Sequence, residues 1–548
     1  FESLLSPSDF NDWFSHNEKL NIFSLTKHPI RISSSKNINL HNKKFNEFNF
    51  HFVSNSFKIN NSSLVDVVST IQYQPERQIF LLDFTGSIGY SQIDGLFEQK
   101  LDGLEYSCRL FGNFIPTDLS PIMLEWWNKI WKDFSFASYS PYVDLKIDGA
   151  WGGMKRSMAT YGHVELNQVR YKNLSIIKGN FQLSASQEAT QISDISVVLE
   201  QGKLNGNLCF SPSKHGEPRF LTFDVNGSLN PTDAKSLFGT EAEKILSKFE
   251  TSSSVNLDAQ GNVQLNVNDS KDTNRTNFLI KANTDSQILY SGIVLDSLSL
   301  EVNSTYGVTK VSPLAFKIAD GHGNGSLIFR QEKDITNLQV DIGIKGADRK
   351  RFVQSMQLSE TLNNREEGKI NPESNGSDSR GKLDFKLQAS GNPEDFLSFE
   401  GNGSILVRDS ALGDIRLLGG LTDYLGASKL PLPSGSISFN RLEAPFILNG
   451  DALIFGNLSL SGGSALLVAN GIINLSKYVL DLEARLHLLG NVSVPVLGKV
   501  IQLLDPLSAV GNIKIDGTFE DPKWSIQLRP GKSALDLLFP KRTRSDKN

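Results

Sequence analysis

The stretch Val255-Asn-Leu-Asp-Ala-Gln-Gly-Asn-Val-Gln-Leu-Asn-Val267 sets an apolar residue or glycine at every odd position and a polar one at every even position. A period of two marks a β-strand with one oily and one wet face, because successive side chains leave the pleat on opposite sides. The period returns at Val143, Leu145 and Ile147, at Leu298, Leu300 and Val302, and at Leu338, Val340, Ile342 and Ile344. It returns again at Leu383, Phe385, Leu387 and Ala389, and at Leu480, Leu482, Ala484, Leu486 and Leu488. The chain therefore reads as mainly β and antiparallel, elongated because neighbour-to-neighbour hairpins extend a sheet. A sheet this long must close, stack on another sheet, or hold something apolar against its oily face.

Composition narrows the class. At 548 residues the chain exceeds the size at which one core keeps growing, so several domains or a repeated elongated structure is expected. Apolar residues make up 39%, charged residues 21%, and mean hydropathy is -0.23, values of a folded, soluble chain. No run reaches the roughly 18 apolar residues of a spanning helix. A net charge of -5 and a pI near 6.0 leave no basic surplus, which argues against nucleic acid as a partner. Cys108 and Cys209 are the only cysteines, too few for a disulfide framework or a cysteine-rich metal site. The chain starts at Phe1 without a signal segment, so it is expected to be part of a longer protein whose missing portion could hold an anchor.

Punctuation along the chain suggests a degenerate repeat. Gly112 to Asp118, Gly227 to Asp233, Gly391 to Asp395 and, more loosely, Gly517 to Pro522 each run from a strand through glycine to proline and acid. Asn230 and Asn392 can cap helices that carry Pro first and an acid third. One-sided apolar spacing predicts short helices near 119–135, 231–249, 412–426 and 496–505. The pairs Asn226-Gly227, Asn402-Gly403, Asn449-Gly450 and Asn470-Gly471 suit tight hairpins. Glu360 to Lys382, almost free of apolar residues, reads as a disordered loop, and Lys541 to Asn548 as a loose tail. The resulting segments are 1–115, an N-terminal β region; 116–230, a helix and β repeat; 231–380, a second helix and β repeat ending in the polar loop; and 383–548, a C-terminal β region with short helices.

Chemistry finds little foothold. The eight histidines are scattered, and no metal-binding or nucleophile-elbow spacing occurs, so no metal, cofactor or enzymatic activity is expected. Asp320-Gly-His-Gly-Asn-Gly325 looks like a phosphate loop, but no Gly-Lys-Ser/Thr follows, and a hairpin turn is the better reading. Asn-x-Ser/Thr sequons such as Asn303 to Thr305 read as coincidence in a chain rich in these residues.

The last third carries a resemblance. Gly401 to Gly426, Gly435 to Leu448, Leu458 to Asn474 and Val510 to Trp524 resemble, in order and spacing, the C-terminal region of AsmA-like proteins, the group that includes TamB. Ile515-x-Gly-Thr-x-x-Asp-Pro522 is similar to that group's closing strand. The resemblance covers roughly 380–530; upstream, only the strand and turn grammar continues. It implies a highly curved β-sheet groove with a few short helices, in a bacterial envelope protein that reaches into the periplasm from an inner-membrane anchor. It further implies that the protein supports phospholipid movement toward the outer membrane, with inner- and outer-membrane or envelope proteins as partners.

On that reading the ligand is a phospholipid or another acyl-chain lipid, and the protein works as a monomer. Val255, Leu257, Val263, Leu265 and Val267, with Leu480, Leu482, Leu486 and Leu488, are expected to face the groove and touch lipid. Each methylene so shielded is worth about 0.8 kcal/mol. The alternative is a structural envelope scaffold without bound lipid, whose apolar faces pack on each other; alternation alone does not separate the two.

Overall fold

The computed structural model describes residues 2–8, 11–12, 23–25, 30–34, 47–120, 131–150, 159–211, 219–234, 246–265, 276–355, 381–409, 412, 439–488, 511–518 and 522–528, less isolated positions at 60–61, 102, 104, 137–138, 173, 187, 252, 333–334 and 464. It is mainly β, with 75% strand and 7% helix. The chain divides into two compact units, residues 1–280 and 281–548, so the boundary falls inside the segment 231–380.

In the first unit, antiparallel strands follow one another from Phe48–Ile59 to Val255–Gln264, each hydrogen-bonded to the next long strand in sequence. The short strand Phe134–Phe136 lies along Val169–Tyr171, where Phe134 packs on Tyr171 with ring centroids 4.7 Å apart. The second unit repeats the plan from Ser297–Thr305 to Pro522–Leu528. The long strands belong to one antiparallel sheet, and among the described residues it does not close into a barrel.

Two-residue turns fit this meander. Tyr306 and Gly307 (φ 48° and 83°) and Ala319 and Asp320 (φ 48° and 63°) both hold the paired positive dihedrals that match strand twist. The second touches only the first residue of the turn expected over Asp320–Gly325; Gly321 to Gly325 lie inside the strand Gly321–Glu332, paired on both sides. The Asn-Gly pairs behave differently from expectation. Asn449-Gly450 forms a turn, but Asn226-Gly227, Asn402-Gly403 and Asn470-Gly471 lie inside strands. The reason is steric. A Cβ on Gly227 would stand 2.0 Å from the Lys203 carbonyl oxygen, and one on Gly471 would stand 2.2 Å from that of Asp481. With φ at 146° and 142°, these glycines let neighbouring backbones approach where a side chain could not fit.

The glycine-to-acid punctuation forms caps. Asn230 Oδ1 accepts the Thr232 N–H at 2.9 Å and starts the helical turn Pro231–Ala234, while its Nδ2 donates to Gln201 and to the Thr251 carbonyl. Asn392 Oδ1 accepts the Glu394 N–H at 3.0 Å, and Asp395 then caps the short turn Phe396–Ser398. At the first site Pro116–Leu119 is a 3₁₀ turn, and Asp118 accepts from Ser91 Oγ at 2.7 Å. The predicted helix 119–135 is cut short at its far end, because Phe134 pairs in a strand with Tyr171. Of the helices expected at 119–135, 231–249 and 412–426, the parts at 121–130, 235–245 and 413–426 lie outside the described residues, as do 496–505, most of the loop 360–382 and the tail. Lys382 itself opens a strand.

A helical turn at 349–355 is pinned to the end of the strand Glu400–Arg408. Arg349 Nε donates to Asp409 Oδ2, and the Arg349 N–H donates to the Gly381 carbonyl at 2.9 Å. The two cysteines are free.

Candidate functional site

Hydrogen-bond register carries the alternation from single strands to a surface. In the first unit Phe84, Gly95, Leu110, Leu145 and Gly162 are direct cross-strand neighbours. The row continues through Leu183, Ile192, Leu208, Phe223 and Gly261. The second unit has its own row: Val302, Val311, Leu327, Val340, Ala389 and Gly401. It goes on through Leu448, Leu453, Ile473, Leu480 and Gly517. Every position in both rows is apolar or glycine, so each unit carries an unbroken oily band across its strands.

Three glycines on the oily faces, Gly95, Gly323 and Gly403, are covered by rings from next door. A Cβ on Gly95 would meet the Phe84 ring at 2.1 Å; the same holds for Gly323 beneath Phe316 at 2.1 Å and Gly403 beneath Phe446 at 2.3 Å. A ring lying over a glycine removes backbone from water and keeps the face apolar. Sequence reasoning missed these aromatic residues as part of the face. The available signal was a glycine in mid-strand, which marks a close approach.

The wet face bears the charges. Arg109 grips Asp144 through Nε at 2.8 Å and Nη2 at 2.6 Å, and this hydrogen-bonded guanidinium holds the Asp144 carboxyl below its ordinary range. Ser107 and Lys146 do the same for Asp148. Arg109 and Asp144 link neighbouring strands, whereas Lys146 and Asp148 lie two residues apart on one strand; both read as structural ion pairs. Among the described residues no group of three or more His, Cys, Asp or Glu side chains could hold a metal ion.

The expected lipid-contacting residues fall into three environments. Val255, Leu257 and Val263 are partly buried on the oily face of Val255–Gln264. That strand stops at Gln264, and Leu265, in the bend beyond it, is 40% exposed; Val267 lies outside the described residues. Leu480 and Leu482 are 1% and 3% exposed, in a cluster with Leu467, Ala484, Ile513 and Ile515, against which Leu486 packs. Leu488 ends its strand, opposite Ala465. The structure thus brings the Leu480 set into a tightly packed region and leaves the Val255 set on a face that the chain covers only in part.

Cys108 reports on the same face. It sits between Phe97 and Ile147 in the register, and burial pushes its thiol up from the ordinary value. With less thiolate available, Cys108 in a Cys209→Ser background should react with Ellman's reagent at pH 8 more slowly than free cysteine. Unfolding in guanidinium should abolish the lag; an unretarded folded protein would show that water reaches this part of the face.

The chain matches no protein-family model and no curated protein.

Proposed function

We propose that this protein binds acyl-chain lipid along its oily sheet faces and serves lipid transfer in a bacterial envelope. The observation that carries the reading is the partial cover of those faces. Val302, Val311, Leu327 and Val340 in one band, and Leu183, Ile192, Leu208 and Phe223 in the other, remain only partly buried although each stands in an unbroken apolar row. Apolar area left partly in water favours a further apolar occupant by about 25 cal/mol per Å² covered. A phospholipid acyl chain has the required chemistry, and rows that run across the strands offer it a path longer than any one strand. The mid-strand glycines are the devices by which sheets bend, which fits a highly curved groove. The resemblance to AsmA-like proteins adds the periplasm, an inner-membrane anchor and service to the outer membrane.

A scaffold reading has one observation in its favour, the near-complete burial of Leu480, Leu482 and Ala484. Around them the sheet behaves as a dry core.

Organic extraction and mass spectrometry of the purified chain decide between the two. Bound phospholipid is expected, and its absence from protein expressed in bacteria would sink the lipid reading. The paired substitution Leu327→Asp with Val340→Asp places charge on two partly buried cross-strand neighbours. Desolvation of those carboxylates by an acyl chain is strongly unfavourable, so lipid content should fall about tenfold while the β spectrum survives. Leu482→Asp with Leu486→Asp should instead unfold the second unit, since Leu482 has no water to receive the charge. Undiminished lipid in the Leu327/Val340 variant would place the path elsewhere.

A further inference from the structure

In the second unit the oily face is dry at one end of two of its strands and half-open farther back. Ile318, Ile344 and Ala347, at or near the ends of Val308–Ile318 and Ile335–Asp348, are 3%, 6% and 0% exposed. Val311 and Val340, farther back on the same two strands, are only partly buried. Phe352, from the helical turn 349–355, packs against this dry cluster, as do Phe316, Phe385, Ile293 and Leu295. Phe352 also packs against the larger cluster that holds Val407 and Leu412, so one ring covers the seam between two packed regions. The ring itself is half-buried, and Val353 beside it is exposed.

The turn is fastened firmly at its base and loosely beyond it. Ahead of it the Gly346 N–H donates to Asp384 Oδ1 at 2.7 Å, and Lys382 Nζ donates to the Gly346 carbonyl at 3.1 Å. Arg349 adds its pairing with buried Asp409 and its backbone bond to the Gly381 carbonyl. Past Arg349 the tie to the sheet is ionic and wet. Arg351 Nη1 stands 2.5 Å from Asp320 Oδ1, and Nη2 stands 3.7 Å from Asp296 Oδ1. The Arg351 and Asp320 side chains are 48% and 60% exposed. Asp320 lies just before Gly321–Glu332 and Asp296 just before Ser297–Thr305, so one guanidinium reaches the ends of two strands. Two further contacts are local to the turn: the Arg351 N–H donates to Asp348 Oδ1 at 2.9 Å, and Ser355 Oγ donates to the Phe352 carbonyl at 2.7 Å.

We propose that residues 350–355 are a strap over the oily face: Arg351 releases Asp320 and Asp296, Phe352 withdraws, and an acyl chain takes its place on the dry cluster. The exchange is close to balanced. Acyl methylenes cover the apolar surface that the ring leaves, so burial is conserved, and what is given up is a set of exposed ion pairs. Such pairs hold weakly, and salt screens them. The buried pairing of Arg349 with Asp409 stays in place, because a charge with almost no water around it is not readily unpaired, so the strap swings from a fixed base and the sheet beneath it keeps its register. The inference rests on the lipid-carrying reading and deepens it, by placing control of entry to the dry end of the face in one exposed arginine.

Two measurements on the full chain test the strap: the rate at which it takes up pyrene-labelled phosphatidylcholine from vesicles, and hydrogen–deuterium exchange of the amides of 350–355. Arg351→Ser should speed both by about two- to fivefold, the range that loss of exposed ion pairs gives. Salt at about 1 M should speed the parent likewise and leave exchange in Arg351→Ser unchanged. Asp296→Asn with Asp320→Asn, which frees the guanidinium from the other side, should match Arg351→Ser, and combining all three should add nothing further. Arg441→Ser, which breaks an exposed pair with Glu443 elsewhere in the unit, should alter neither rate. Exchange and uptake that ignore both Arg351→Ser and salt overturn the strap. Faster exchange with unchanged uptake overturns it equally, since the turn then moves without gating. If neither the parent nor any variant takes up the probe, the lipid reading falls and the strap's role falls with it; uptake that is present but indifferent to Arg351 overturns the strap alone. Should Arg351→Ser misfold, the paired asparagine variant and the parent in salt decide the outcome by the same rates.

Discussion

Replacing Arg349 by Met should destabilise the second unit by about 3 kcal/mol. Arg349 donates to Asp409, whose side chain is 1% exposed, while the guanidinium itself is 22% exposed. The substitution therefore takes the counter-charge from a carboxylate that has almost no contact with water. Desolvation is what makes the single change costly, since the ion pair as a whole need not add stability over an apolar pair of similar size. The double variant Arg349→Met, Asp409→Leu should accordingly recover much of the loss. Gly381 shapes the result, because the Asp409 carboxylate fills the space where a Cβ would stand. Denaturant unfolding followed by circular dichroism measures both variants. A single variant within about 0.5 kcal/mol of the parent would mean that the pair does not anchor the helical turn at 349–355.

Leu467→Ala should cost about 3 kcal/mol, and Ile472→Ala, five residues along the same strand, less than about 1 kcal/mol. Leu467 is 1% exposed and stands between Leu460 and Leu486 in the cross-strand register. Truncating it opens a cavity among side chains that cannot all relax. Ile472 lies on the other face, where truncation meets water. Equal losses at the two positions would mean that both faces are packed, and the assignment of an oily and a wet side would be wrong for this part of the sheet.

Much of the fold was legible because a strand with one wet face must alternate. Val255, Leu257, Ala259, Gly261 and Val263 all lie on one side of their strand, as their spacing requires. Local chemistry was equally readable where it acts over a few residues, as in the caps at Asn230 and Asn392. The Asn-Gly pairs were misread because the same dipeptide serves a tight turn and a close backbone approach. Only the neighbouring strand distinguishes Gly471 from Gly450.

The candidate site was legible only as a set of faces. Sequence by itself determined that the chain is mainly β, that its strands have an oily side, and which residues lie on it. Register decided what that side becomes. Val311, Leu327 and Val340 are neighbours because hydrogen bonds between strands set them level, and bulges shift that level by one residue at Val311/Leu314 and at Ile344/Ala347. Periodicity within a strand carries no information about such offsets. Tertiary structure likewise decided that Leu480 is packed against protein while Leu327 is left partly open, since burial depends on what the rest of the chain lays over a face and not on the face's own pattern.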